Sequence, residues 1–180
     1  IASLQQLTIG WLSAERPRRW LRCPELSRNA RLKKLATVLP KQSSQLQLVA
    51  RDKLSNIRAA QGEHAEAIAL RELLTAAFAA RGEHQKAAKS LEEQGNVYLS
   101  QADRTKAIQA FRECALFSAM AGIAEQEGSC LLRSARTLER DGKPNDALDD
   151  IKKAAELFAN IQSPKQVQAL RALGHLHESS

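Results

Sequence analysis

GEHAEAI at Gly62–Ile68, ADRTKAI at Ala102–Ile108 and GKPNDAL at Gly142–Leu148 fall on one another when the chain is slid by forty residues. Each stretch runs from a small residue through a polar turn to an alanine–aliphatic pair: Ala67-Ile68, Ala107-Ile108 and Ala147-Leu148. A fixed period of this size marks stacked supersecondary units, because one unit cannot bury its apolar face alone and needs the next to cover it. The composition agrees. Hydrophobic residues make up 43% of the 180 residues but aromatics only 4%, so the core must be built from helices that approach closely through small side chains.

Carried along the chain, the pattern predicts antiparallel helix pairs at about 45–61 with 64–81, 84–101 with 104–121, and 124–141 with 144–160. A last helix runs from 164 to about 177. Gly62, Gly82, Ala102-Asp103, Gly122 and Gly142 sit at the breaks. Pro144 fits a first helical turn, where its missing N–H costs nothing, and Ser163-Pro164 reads as an N-cap followed by proline. The expected fold is all-α: an array over 43–180 with units at 43–82, 83–122 and 123–162 and a final helix in 163–180.

Residues 1–42 read as a separate basic helical segment or cap. Leu4, Leu7, Ile9, Trp11 and Leu12 suggest a short apolar helix. Arg28–Leu39 places Leu32, Leu35, Ala36 and Leu39 at helical spacing, with Pro40 closing the run. This segment holds nine Lys/Arg and two acids, the whole net charge of +7, and residues 43–180 are balanced. The patch of Arg16, Arg18, Arg19, Arg22, Arg28, Arg31, Lys33 and Lys34 has three readings. As a cap its apolar side covers the end of the array and its charge is solvated. As a nucleic-acid contact through residues 16–34 it has Trp11 and Trp20 for stacking but no recognised motif. As a membrane-surface helix it has basic residues beside apolar anchors. Capping ranks first.

The chemistry of catalysis is missing from the pattern. There is no Gly-rich phosphate loop, HExxH or GxSxG, so the expectation is a non-catalytic protein with no cofactor, metal or small-molecule substrate. His64 and His84 fall at turns, and His175 and His177 stand two apart on different helix faces, which is not a metal pair. Cys23, Cys114 and Cys130 are odd in number with no CxxC, so they read as reduced structural cysteines. No apolar run approaches the roughly 18–20 residues of a membrane span. Residues 1–12 lack the flanks of a secretory signal. A reducing cytoplasmic setting is expected, with the nucleus as alternative.

At this point the chain resembles the tetratricopeptide repeat family, over about 43–180. The family's small residue in the first helix falls on Ser55, Gly95 and Ala135, and the aromatic after it on Arg58, Tyr98 and Leu138. In the second helix the family alanine falls on Ala67, Ala107 and Ala147, the aromatic on Arg71, Phe111 and Ile151, and the last small residue on Leu74, Cys114 and Ala154. The middle unit fits well. Arg58 and Arg71 depart from the pattern and put the packing of the first unit in question. The period exceeds the family's usual length and looks like the long-helix repeats of SNAP-type vesicle adaptors, LGN-type scaffolds and kinesin light chains. The resemblance implies a right-handed superhelix of hairpins that acts as an adaptor or scaffold in complex assembly.

It also implies a concave groove lined by the first helix of each pair, holding a peptide or helix of a protein partner. The groove positions match Asn56, Asn96 and Arg136, with His175 in the last helix. An asparagine amide both donates and accepts, so it can satisfy a peptide group from one side. Glu92, Arg133 and Arg140 complete the candidate site and give it mixed charge, which disfavours a phosphate backbone. The chaperone-binding carboxylate clamp of the family is rejected, since Asp52 stands where its lysine and Glu93 where its asparagine would be, and both would repel a C-terminal carboxylate. The alternative functions are a structural subunit of a large complex anchored by the basic segment, and a nucleic-acid-associated protein acting through residues 16–34.

Overall fold

The structure, a computed structural model, describes residues 45–178. The N-terminal segment of residues 1–42 and its basic patch lie outside the described residues. Within them the chain forms α1 (Gln45–Ala60), α2 (His64–Ala80), α3 (His84–Ser100), α4 (Arg104–Met120), α5 (Ala124–Arg140), α6 (Pro144–Asn160) and α7 (Gln166–Glu178), and no strand. Helices α1 to α6 start at the residues the spacing predicts. α7 starts later than expected because Pro164 and Lys165 first make a turn.

Each break between helices carries one residue with left-handed backbone. These are Gly62 (φ 78°), Gly82 (71°), Ala102 (57°), Gly122 (71°), Gly142 (74°) and Gln162 (52°). They fall twenty residues apart, half the unit length. The next residue donates its N–H back five positions: Glu63 to the Arg58 carbonyl (2.9 Å), Glu83 to Phe78 (2.9 Å) and Asp103 to Tyr98 (3.0 Å). Ile123 to Ser118 (3.0 Å), Lys143 to Leu138 (2.9 Å) and Ser163 to Phe158 (2.9 Å) repeat the bond. This closure satisfies carbonyls that the ending helix leaves orphaned. Glu63, Glu83, Asp103, Ile123 and Lys143 are also the N-caps of the helices that follow. One residue thus ends a helix and begins its antiparallel neighbour. Asp103 adds a side-chain cap, accepting from the Lys106 amide at 3.1 Å.

Small residues set the spacing within each pair. Ala67, Ala107 and Ala147 are wholly buried. A methyl on Gly95 would lie 2.6 Å from the Phe111 ring, and one on Gly128 would lie 2.8 Å from Phe158. Both contacts are too short for real atoms, so α3–α4 and α5–α6 can close only over glycine. Every extensive helix contact joins neighbours in sequence. Leu48, Leu74, Ala77, Phe78 and Ala87 form one cluster spanning α1, α2 and α3. A larger cluster runs from Ala88 through Cys114, Cys130, Ile151 and Phe158 to Leu176. The fold is therefore an open stack of hairpins buried in chain order.

Left-handed backbone costs an L-residue with a Cβ about 1–2 kcal/mol. Ala102→Gly relieves this and pays back part of it in unfolded-chain entropy. Ala102→Gly is expected to raise stability by about 0.5–1 kcal/mol, and Gly122→Ala to lower it by about 1 kcal/mol. Denaturant unfolding of the two variants against the parent checks both signs.

Candidate partner-binding face

Asn56 in α1, Asn96 in α3 and Arg136 in α5 recur at the forty-residue period, and all three are exposed. The first helices of successive pairs meet through side chains on this side. Arg133 of α5 donates from Nη1 to Asn96 Oδ1 of α3 at 2.8 Å. The same nitrogen lies 3.4 Å from the Glu92 carboxylate, and the guanidinium stands 5.7 Å from the centre of the Phe111 ring. The structure thus gathers Asn96, Glu92 and Arg133 into one cluster. Arg136 and Arg140 are exposed on α5 and His175 on α7. Among the described residues, neither Arg136 nor Arg140 is bonded to that cluster.

Arg71 organises the other end. Its side chain is only 3% exposed. Nη1 donates to Asp52 of α1 at 2.8 Å, and Nη2 contacts Asn56 Oδ1 of α1 and the Glu93 carboxylate of α3. Burial lowers the Arg71 pKa below its ordinary value, and the charge and hydrogen bond of Asp52 pull it back up. The expected disturbance of the first unit is corrected here. Where Phe111 fills the equivalent place in the next unit, a guanidinium does so in this one, because carboxylates from both flanking first helices satisfy it. Arg58 is half-buried and pairs with Glu63 and, at 3.5 Å, with Glu66.

Three further groups escaped the sequence reading. Asp150 of α6 is buried, accepts from Ser134 Oγ at 2.7 Å and pairs with Arg112 Nε at 3.1 Å. Ser90 is buried against α2, accepting from Thr75 Oγ1 at 3.0 Å. Cys114 of α4 and Cys130 of α5 are joined in a disulfide, with Cα atoms 6.1 Å apart. This corrects the expectation that both are reduced. The signal was present in the spacing: the two cysteines stand eight residues either side of Gly122, so the antiparallel hairpin brings them to the same level. Asp52 and Arg71 are set almost as evenly about Gly62. Glu92 Oε and the two sulfurs come within 4.8 Å of one another, the spacing of a metal cluster, but sulfurs bonded to each other are not the thiolates a metal needs. With the reduced-cysteine argument gone, the cytoplasmic reading loses its support. What stands is that no helix of the described residues is long and apolar enough to cross a membrane.

No protein-family model matches the sequence, and no curated protein is significantly similar to it. The fold is similar to a solved structure of kinesin light chain nearly identical TPR-like repeats from Podosopora anserina. The TM-score is 0.60 at 17% identity, over 82% of this chain and 75% of that one. A variant of the same protein gives 0.61 at 17%, over 83% and 74%. The chain is a TPR-like helical repeat protein in its fold.

Arg71→Met strips two half-exposed carboxylates of their buried cation, and is expected to cost about 2 kcal/mol, less than for a wholly buried pair. A lower midpoint in urea unfolding checks this. Reducing the disulfide, or replacing it through Cys130→Ala, reopens a loop whose ends are 16 residues apart. The expected loss is about 3 kcal/mol, read by unfolding with and without reductant. The unreduced intact mass must also fall short of the sequence mass by two hydrogens.

Proposed function

We propose that the chain is a non-catalytic protein-interaction module whose face of first helices holds an extended segment or helix of a protein partner. The carrying observation is the recurrence of exposed Asn56, Asn96 and Arg136 at one register, two of them held by arginines. An open stack of hairpins supports the reading, since it leaves one side of each first helix uncovered by the next pair. So does the TPR-like fold, which is suited to binding protein segments.

The arginines add a polarity. A guanidinium has donors and no acceptor, so Arg71 and Arg133 must meet the amide oxygens of Asn56 and Asn96. Each asparagine then turns its NH2 outward. The face offers a partner's backbone fixed donors for its carbonyl oxygens, with Arg136 adding a charge beyond them. Glu92 tempers the cationic field through Arg133, so the fitting partner carries both signs of charge. Residues 43–180 are balanced in charge, which supports a protein ligand over a nucleic acid for this region. The readings through the basic segment, as anchor in a larger complex or as nucleic-acid contact, concern residues outside the described ones.

Asn96→Asp tests the polarity. It keeps, and strengthens, the bond to Arg133 while replacing the outward NH2 with an acceptor. With partners identified by crosslinking and mass spectrometry, Asn96→Asp is expected to weaken capture about tenfold, a lost hydrogen bond plus a repelled carbonyl. The circular dichroism of the array should stay unchanged. Undiminished binding by Asn96→Asp and by the triple variant Asn56→Ala/Asn96→Ala/Arg136→Ala excludes this face.

A further inference from the structure

The forty-residue register says which side of a first helix the preceding helix covers. In α3 the residues Ser90, Gln94 and Val97 are buried, and in α5 so are their counterparts Cys130, Ser134 and Thr137. Contacts identify one of these positions directly. Ser90 donates to the Arg71 carbonyl of the preceding α2 at 3.2 Å, and Cys130 is bonded to Cys114 of the preceding α4. The counterparts in α1 are Ala50, Leu54 and Ile57, and all three are exposed. Leu54 is 41% and Ile57 53% exposed, against 4% for Gln94 and 8% for Val97. The more apolar set is thus the uncovered one, and what distinguishes α1 from α3 and α5 is that no described helix precedes it.

The sequence just before α1 carries a matching apolar pattern. Leu32, Leu35, Val38 and Leu39, moved forward by thirty-nine residues, fall on Arg71, Leu74, Ala77 and Phe78, four of the five buried positions of α2. That is one residue short of the period, a difference a linker absorbs. Pro40 and the polar KQSSQ run lie where the turn into α1 is needed. In the array Leu74, Ala77 and Phe78 share a cluster with Ala87 of the following first helix. By the same register Leu35, Val38 and Leu39 would meet Gln47, the counterpart of Ala87, and Leu32 and Ala36 would meet Ala50, since Ser90 bonds to Arg71 and Thr75.

We propose that residues 28–39 form an intramolecular half-unit: a second-type helix that docks on α1 over Ala50, Leu54 and Ile57 and closes the N-terminal end of the array. Arg31, Lys33 and Lys34 fall on positions of α2 that are only partly buried, so on docking they are carried on its outer sides, and Arg28, which falls on Ala67, lies at its starting end. The inference is independent of the partner-binding reading, because it concerns the opposite contact of α1 and requires no ligand.

Hydrogen exchange followed by mass spectrometry on the full 180-residue chain tests it. Amides of residues 30–39 are expected to exchange at least about tenfold more slowly than an unstructured peptide of the same sequence. Ile57→Asp, on the array side, should return them to within about twofold of that peptide while α5 and α6 keep their protection. Leu35→Asp, on the segment side, should do the same and speed exchange in α1, so that misfolding of one variant does not decide the matter. Exchange of residues 30–39 at the peptide rate in the parent chain overturns the proposal. So does protection that neither variant alters, or protection that appears only as concentration is raised and a dimer forms in light scattering, since the covering helix then belongs to a second copy.

Discussion

One left-handed residue in every twenty governs this molecule. It reverses the chain within three residues and closes the ending helix through a bond five positions back. It also supplies the cap from which the next helix starts. The turn fixes helix length, and helix length fixes level. Two residues equidistant from a turn therefore face each other, which is how Cys114 reaches Cys130 and Asp52 reaches Arg71. The packing that follows, Gly95 under Phe111 and Gly128 under Phe158, is available only because the turns hold the helices in step.

That dependence explains why the helices could be read from the sequence while several contacts could not. Gly62, Gly82, Gly122 and Gly142 announce the breaks, because glycine is the residue that takes positive φ without cost. Ala102 and Gln162 do the same job at a cost, and their identities conceal the twenty-residue spacing. Alanine in the same place of each second helix was equally legible, since only a small side chain permits the approach. The arginines were not. A comparison with a family pattern marks Arg58 and Arg71 as misfits. Only the placement of carboxylates on both flanking helices turns Arg71 into the centre of an ionic knot.

The candidate site divides in the same way. Register alone picks out Asn56, Asn96 and Arg136, because recurrence every forty residues needs nothing but counting. Which atoms of the asparagines are occupied depends on Arg71 and Arg133, whose side chains cross from other helices, and no local pattern predicts that. The cysteines were misread for a related reason. An odd number without CxxC argues against a pairing only if hairpin symmetry is ignored, and the two that pair are symmetric about Gly122. The apolar residues exposed on α1 show the rule from the other side: a position is buried where the register supplies a neighbouring helix, and these are exposed where no described helix precedes them.

The most direct test of the account is the order in which the first helices line up. Ala60, Ser100 and Arg140 are register-equivalent and exposed at the ends of α1, α3 and α5. Spin labels placed at these residues in pairs, through Ala60→Cys, Ser100→Cys and Arg140→Cys with Cys23 removed, report the three distances by double electron–electron resonance. Hairpins stacked in chain order predict similar 60–100 and 100–140 separations and a 60–140 separation well beyond either. A 60–140 distance no longer than the other two would mean that the helices close into a bundle, and the face of first helices would not exist.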